Sequence, residues 1–249
     1  MSESSPVALV TGAAKRIGAT IVRHLHANGY RVIIHCNQSV DDAQQLADAL
    51  NTIRPHSASV IQGNLCDDNA VADVANQAMS VCGRLDVLVN NASAFYPTPV
   101  GDISLSDWDA LVGSNAKGPL FLSQALVPAL RERGGNIVNI VDMHIDRPLP
   151  SHSVYCMAKS ALATMTQALA VDLAPDIRVN GIGPGAILWP ERTLSDDEQQ
   201  AMLNTIPLRR LGTPDDIAST LGFLINAPYI TGQIIYVDGG RSVNANTVA

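Results

Sequence analysis

The sequence predicts an α/β fold, a single doubly wound parallel sheet with helices on both faces. Two observations carry the prediction. Short apolar, β-branched runs bounded by turn residues alternate with helical patterns along the whole chain, and strands that are apolar throughout their length belong to sheets buried on both sides. No Pro/Ser-rich linker interrupts the alternation, so residues 1–249 read as one domain.

Taken in order, residues 7–11 (V-A-L-V-T) form the first strand. A glycine-containing turn and a helical pattern over 17–28, closed by Gly29, follow. Residues 31–36 are strand-like, 40–53 helical before Pro55, and 58–63 the third strand. The pattern continues with a helix over 68–81, a strand over 85–90, helices within 106–133 and a strand over 136–141. A helix over 155–173, a strand over 177–182, a helix over 214–225 and a strand over 233–237 complete it. Two segments break the rhythm, 93–103 and 183–207. Both lie beyond the carboxyl ends of strands, where open α/β sheets bind ligands, and are read as substrate loops. The second carries a predicted short helix over 196–204 that could serve as a lid.

Composition sets outer bounds. Hydrophobic residues are 47% of the chain and charged residues 16%, which suits a large core. A net charge of −7 without any Lys/Arg run argues against a nucleic-acid or anionic-membrane surface. The start, M-S-E-S-S-P, lacks the features of a signal peptide, and no stretch of about 18 apolar residues is present to span a membrane, so a cytoplasmic protein is expected. Cys36, Cys66, Cys82 and Cys156 are scattered without a C-x-x-C pair and read as buried free thiols; no metal site is expected.

Residues 141–159 carry the chemistry. Asp142 stands thirteen residues before Tyr155, and Lys159 four after it. On a helix Tyr155 and Lys159 share one face. A phenol has an ordinary pKa of about 10, and a cation beside it favours the phenolate and lowers that value. Spacing alone is shared with many solvated helices, so the cofactor signals decide.

Those signals begin at T-G-A-A-K-R-I-G, 11–18, between the first strand and helix. Gly12 permits a tight turn, Gly18 allows close helix–strand packing, and free N–H groups at the helix start favour phosphate. Arg16, with Lys15 beside it, occupies a position where a further glycine would bring backbone to a pyrophosphate. At the end of the second strand, R-V-I-I-H-C-N-Q-S holds no acid for a ribose 2′-hydroxyl. Asp41 and Asp42 read instead as first-turn acids of the next helix. His35, Asn37 and Ser39 could donate to a 2′-phosphate with Arg16, so NADP(H) is favoured over NAD(H).

Together these motifs resemble the short-chain dehydrogenase/reductase family along nearly the whole chain. The matching features are T-G-x-x-x-x-x-G, Asn90-Asn91-Ala92, Asn115, Tyr155-x-x-x-Lys159, Pro184-Gly185 and Asp238-Gly239-Gly240. The resemblance implies a Rossmann-type sheet of about seven strands. It makes Tyr155 the general acid, Lys159 the residue that holds the nicotinamide ribose and lowers the tyrosine pKa, and Asn115 part of a proton relay. It also puts Gly12, Arg16, Ile17, Gly18, Asn64, Asn91, Ala92, Ser93, Pro184 and Gly185 around the dinucleotide.

One departure narrows the expectation. Where most members carry a serine hydroxyl that polarises a carbonyl, this chain has Asp142, whose carboxylate would repel a developing alkoxide. Reduction of a ring C=N bond, which needs a proton at nitrogen, suits an acid beside a tyrosine. With Arg16 and the run N-N-A-S-A-F-Y-P-T-P, the chain is similar to the pteridine reductase group of that family. That similarity implies NADPH-dependent reduction of a dihydropterin, and of dihydrofolate, to the tetrahydro form. Ser93 would contact pterin and cofactor, and Phe95 would stack on the pterin.

Two further departures are Gln38, where that group often has arginine, and Asn64, where many relatives have aspartate. Competing readings stand beside these: Asp142 as a strand-end cap, Phe95 as a loop anchor, and Trp189 either bordering the pocket or packed. The alternatives for the whole chain are a carbonyl reductase of the same family acting on a ketone, acyl thioester or sugar and, from another class, a non-catalytic NADP(H)-binding sensor or scaffold. Long apolar faces within 107–133 and 155–173 suit either core burial or a homotetramer built from dimers.

Overall fold

The computed structural model describes residues 5–189 and 194–244, with the backbone alone at Asp68. Residues 190–193 of the second predicted substrate loop therefore lie outside the described residues. The strands are β1 (Val7–Val10), β2 (Arg31–Cys36), β3 (Ala58–Gln62), β4 (Val87–Asn90), β5 (Asn136–Ile140), β6 (Arg178–Pro184) and β7 (Ile234–Val237). They form one sheet in the order β3-β2-β1-β4-β5-β6-β7, every neighbouring pair parallel. The helices are α1 (Arg16–Ala27), α2 (Val40–Ile53), α3 (Asp68–Cys82), α4 (Leu105–Val112), α5 (Gly118–Arg131), α6 (Ser153–Asp172), α7 (Asp196–Asn204) and α8 (Pro214–Asn226).

Two cores explain why the strands read as continuous apolar runs. Side chains alternate across a strand, so Ala8 and Val10 of β1 enter one core with Ile21 and Leu25 of α1, Leu46 of α2 and Leu221 of α8. Val7 and Leu9 enter the other with Val74 of α3, Leu122, Leu126 and Leu130 of α5 and Ala170 of α6. Both faces are covered, which is the requirement for a purely parallel sheet. Burying one Leu or Ile contributes roughly 1.5–3 kcal/mol, and truncating Leu122 or Leu126 to alanine should cost about 2–5 kcal/mol.

The winding positions the site. The chain runs outward from β1 to β3, then returns to place β4 on the opposite side of β1. The crevice at the carboxyl ends of β1 and β4 is therefore the switch point at which such sheets hold ligands.

Element boundaries follow local chemistry. α8 starts at a capping box, with Thr213 Oγ1 accepting from the Asp216 N–H and Pro214 in the first turn. α7 starts at a similar box between Ser195 and Glu198, and α3 ends at Gly83 in the left-handed conformation.

The predicted helical region 106–133 differs from expectation, because α4 and α5 are joined through a wide π-helical turn, Gly113–Lys117. A Cβ on Gly118 would stand 2.5 Å from the Leu65 carbonyl oxygen, and one on Gly113 would stand 3.2 Å from the Cys66 side chain. The two glycines let this turn approach the segment after β3, and the turn buries Asn115 completely. Among the described residues, no helix is long and apolar enough to cross a membrane.

Candidate active site

At the end of β5 the chain leaves the sheet through Asp142 into a short 3₁₀ turn, Met143–Ile145. Asp142 Oδ1 accepts from the His144 N–H at 2.8 Å, and Oδ2 accepts from the Tyr155 hydroxyl at 2.6 Å. The carboxylate is thus both the cap of that turn and a partner of the tyrosine. α6 begins at Ser153, which places Tyr155 in its first turn and Lys159 one turn further on, both buried. Lys159 Nζ donates to the Ile140 carbonyl at 2.8 Å and lies 5.9 Å from the centre of the Tyr155 ring.

The electrostatics run against one expectation. Tyr155 is held well above the ordinary phenol value, first by burial and then by the Asp142 charge and hydrogen bond, while the Ser93 hydroxyl opposes the rise. Burial and Asp142 outweigh the lowering expected from Lys159. Its ammonium is turned toward the Ile140 carbonyl, and burial brings Lys159 itself down to about 8, against the pull of Asp142. Tyr155 is accordingly a phenol that keeps its proton and presents it to a carboxylate.

The loop after β4 closes the other side. Ser93 Oγ donates to Asn115 Oδ1 at 2.7 Å, and Asn115 Nδ2 donates to the Ala94 and Leu111 carbonyls, each at 2.9 Å. Phe95 is 56% exposed, so it is not an anchor against the sheet. Its ring stacks on His152 with centres 4.8 Å apart and meets the Tyr155 ring edge-on at 4.8 Å. The Thr98 N–H donates to the Ser151 carbonyl at 2.6 Å, tying this loop to the segment before α6.

The turn after β1 is built by contacts with β2 and β4. Asn91 Nδ2 donates to the Thr11 and Gly12 carbonyls at 2.8 and 3.0 Å, and the Asn91 and Ala92 N–H groups donate to Thr11 Oγ1. Gly12 is left-handed at φ 59, and a Cβ there would lie 2.7 Å from Ala92 Cα. A Cβ on Gly18 would lie 2.6 Å from the Gly12 carbonyl oxygen. Both positions therefore exclude a side chain. Arg16 adopts a left-handed φ of 53 at the start of α1, a glycine conformation carried by an arginine.

Beside this turn, an open cavity of about 330 Å³ is lined by Gly12, Ala14, Lys15, Cys36, Asn37, Gln38 and Ser39. The first turn of α1 carries no acid and Lys15 makes no side-chain cap; Ser39 precedes α2 without spending its hydroxyl on the helix. Such a donor set fits the phosphates of a dinucleotide. Lys15 pairs with Asp42 at 2.9 Å across the exposed rim. Asn64 is exposed, and its side-chain oxygen accepts from the Cys66 N–H.

His35 points inward rather than toward this cavity. Expected to donate to a 2′-phosphate, it is 2% exposed. Its Nδ1 accepts from the Gly12 N–H at 3.2 Å, and Nε2 donates to the Gly63 carbonyl at 3.0 Å. Burial pulls it down to about 4, so the ring is neutral with no N–H left for a ligand.

Pro184 and Gly185, at the end of β6, lie against β7: the Gly185 N–H donates to the Val237 carbonyl, and a Cβ on Gly185 would stand 2.6 Å from Asp238 Cα. Ile17, in the first turn of α1, packs against the core. Trp189 is 37% exposed. Two residues that sequence reasoning missed also stand here. His152 backs Phe95, a placement its position three residues before Tyr155 could have signalled. Arg241 lies within electrostatic reach of both Asp142 and Asp238, whose charges oppose the lowering of its guanidinium by burial. No local signal marks it, because only the return of the chain after β7 brings it there. Among the described residues, no group of three or more His, Cys, Asp or Glu side chains could hold a metal ion.

The seven-stranded switch-point sheet, the buried Tyr155/Lys159 pair and the glycine turn define an oxidoreductase of the short-chain dehydrogenase/reductase family, which uses a nicotinamide cofactor. The chain belongs to that family: residues 12–242 match the family described as Enoyl-(Acyl carrier protein) reductase. It is 38% identical to "Pteridine reductase 1" of Leishmania tarentolae over 97% of this chain and 98% of that protein. It is 35% identical to a 3-oxoacyl-(acyl-carrier-protein) reductase of Staphylococcus epidermidis, covering 94% of this chain and 97% of the relative. To the L-xylulose reductase of Bos taurus it is 36% identical, covering 94% and 95%.

Proposed function

We propose that the chain is a single-domain, NADPH-dependent reductase of the ring C=N bond of a dihydropterin, and of dihydrofolate, giving the tetrahydro form. The observation that carries this reading is the 2.6 Å hydrogen bond from the Tyr155 hydroxyl to the Asp142 carboxylate. A ketone becoming an alkoxide needs donors, and Asp142 offers none: one oxygen accepts from His144 and the other from Tyr155. A ring nitrogen becoming an amine needs a proton, which Tyr155 holds. A carboxylate also accepts from the N–H groups that a pterin or folate ring carries and a ketone lacks.

Bound in the crevice, the reduced nicotinamide would supply the hydride. Tyr155 delivers the proton, with Asp142 orienting its hydroxyl and Ser93 and Asn115 lying behind it as the start of a resupply path. Lys159 holds the ribose side of the site, Phe95 offers a ring face to a flat heterocycle, and Gly12, Gly18 and the start of α1 receive the phosphates. Arg16, Asn37 and Ser39 receive the 2′-phosphate, which supports NADPH over NADH. The Leishmania relative, by its name a pteridine reductase, agrees with this reading.

A second reading, carbonyl reduction, draws support from the oxoacyl and xylulose reductases among the relatives. NADPH oxidation measured against dihydrobiopterin, dihydrofolate and a ketone panel separates the two. The expected result is turnover on the dihydropterin and little on ketones; the reverse ranking would reject the proposal.

The half-exposed Trp108, Phe121 and Met157, on α4, α5 and α6, support a homotetramer assembled through these helices. A monomeric mass by light scattering would reject it.

A further inference from the structure

His35 links the backbones at the ends of three neighbouring strands. Its ring accepts from the Gly12 amide just beyond β1 and donates to the Gly63 carbonyl just beyond β3, while its own carbonyl accepts from the Ala13 N–H at 2.9 Å. The ring is 2% exposed. Nδ1 must be the bare nitrogen, because the Gly12 N–H points at it, and Nε2 must carry the proton, because a carbonyl faces it. Gly12 in turn sits against Ala92, just beyond β4, where a Cβ would lie 2.7 Å from the Ala92 Cα. The imidazole thus holds the turn from within the protein, its ring buried and both nitrogens engaged by backbone.

We propose that His35 is a positioning residue that shapes the dinucleotide turn through the Gly12 amide, and so sets affinity for the whole dinucleotide, not the choice between NADPH and NADH. This rests on the turn being the cofactor site. Direct contact with a 2′-phosphate would weaken NADPH binding alone. Shaping the turn weakens both cofactors, because both present the same pyrophosphate to it.

The two ring contacts separate by substitution. His35→Asn keeps an acceptor where Nδ1 stands and loses the donor to Gly63. His35→Gln reaches the Gly63 carbonyl and loses the acceptor for Gly12. Dissociation constants for NADPH and NADH are measured on the full chain by fluorescence or calorimetry, and hydrogen exchange of the Gly12 amide is followed by NMR in the same variants without ligand.

The expected result is about a tenfold rise in both constants for His35→Gln, the loss of one buried hydrogen bond, with the NADPH/NADH ratio unchanged and Gly12 exchange accelerated. His35→Asn stays within about threefold of wild type for both cofactors and keeps Gly12 protected. Loss of NADPH binding alone, or equal behaviour of the two variants, overturns the proposal. A wild type that binds neither dinucleotide overturns the cofactor reading as well, whereas a wild type that binds both and variants that match it overturn this inference alone. Exchange at Gly12 is read without cofactor, so a fold lost in one variant appears as exchange throughout the chain rather than at one amide.

Discussion

The Tyr155 hydroxyl donates to the Asp142 carboxylate across 2.6 Å, while Lys159, one helical turn further on, donates to the carbonyl of Ile140. The tyrosine and lysine share a helix face without sharing a proton in this state. Acid strength at Tyr155 is governed by burial and by Asp142.

Tyr155→Phe removes the proton and keeps the ring. Loss of a general acid lowers kcat by about 10²–10⁴-fold, whereas NADPH affinity should stay within about twofold because the ring packing is retained. Steady-state kinetics with dihydrobiopterin and a separate binding titration check this; wild-type turnover in the variant would remove Tyr155 from its role.

Asp142→Ser leaves Tyr155 buried but takes away the charge that raises it further. The phenol should then ionise at lower pH, read by ultraviolet difference titration against Tyr155→Phe. Dihydropterin turnover should fall and any ketone turnover should be kept or rise. A variant that keeps pterin turnover would favour the carbonyl reading.

Phe95→Ala should raise KM for a planar substrate by roughly 2–10-fold, the value of one aromatic contact of about 0.5–1.5 kcal/mol. His152→Ala, which removes the ring behind Phe95 and that ring's hydrogen bond to the Pro150 carbonyl, should have the smaller effect. Equal KM values across wild type and both variants would exclude Phe95 from the substrate site.

Arg16→Gly exchanges a strained residue for the one that suits φ 53. Thermal unfolding should show a net gain of up to about 1 kcal/mol, the relief of left-handed strain less the unfolded-chain entropy that a glycine adds, and NADPH should bind about 10–150-fold more weakly, a charge-assisted contact being worth about 1.5–3 kcal/mol. NADH affinity should hardly change. Equal losses for the two cofactors would mean that Arg16 does not read the 2′-phosphate.

His35 gives the fold an acid-sensitive element. Its value falls from 6.5 to about 4 on folding, so between these pH values the unfolded chain binds a proton that the folded chain refuses. Its contribution is complete above about pH 6.5 and is lost as pH falls toward about 4, on the order of 3 kcal/mol in all. Urea unfolding at pH 7, 5.5 and 4.5 should show a steeper loss for wild type than for His35→Asn, which does not titrate. Parallel losses would count against a neutral buried ring.

Much of the architecture was legible because it rests on local rules. β2, α2 and α7 fall where apolar runs, turn residues and caps put them, and Tyr155 and Lys159 share a helix face by periodicity alone. The π-helical turn at Gly113–Lys117 was not legible, since it exists to let two glycines approach Leu65 and Cys66, a contact between segments far apart in the chain. The role of His35 was not legible for a related reason: a histidine at a strand end can point to solvent or inward, and the Gly12 amide and Gly63 carbonyl that hold it lie just beyond two other strands.

The sequence by itself determined the parallel sheet with its two apolar faces, the glycine turn, and the presence of an acid, a phenol and an amine at fixed spacing, because strand and helix periodicities are properties of neighbouring residues. Tertiary structure alone decided which of those groups touch. Asp142 meets Tyr155 instead of capping in isolation, Lys159 turns to Ile140, His35 serves the turn, and Arg241 arrives beside Asp142 from the far end of the chain. Hydrogen bonds and burial act through space, and the distances that set proton affinity arise only when β1, β4, β5 and α6 are packed together.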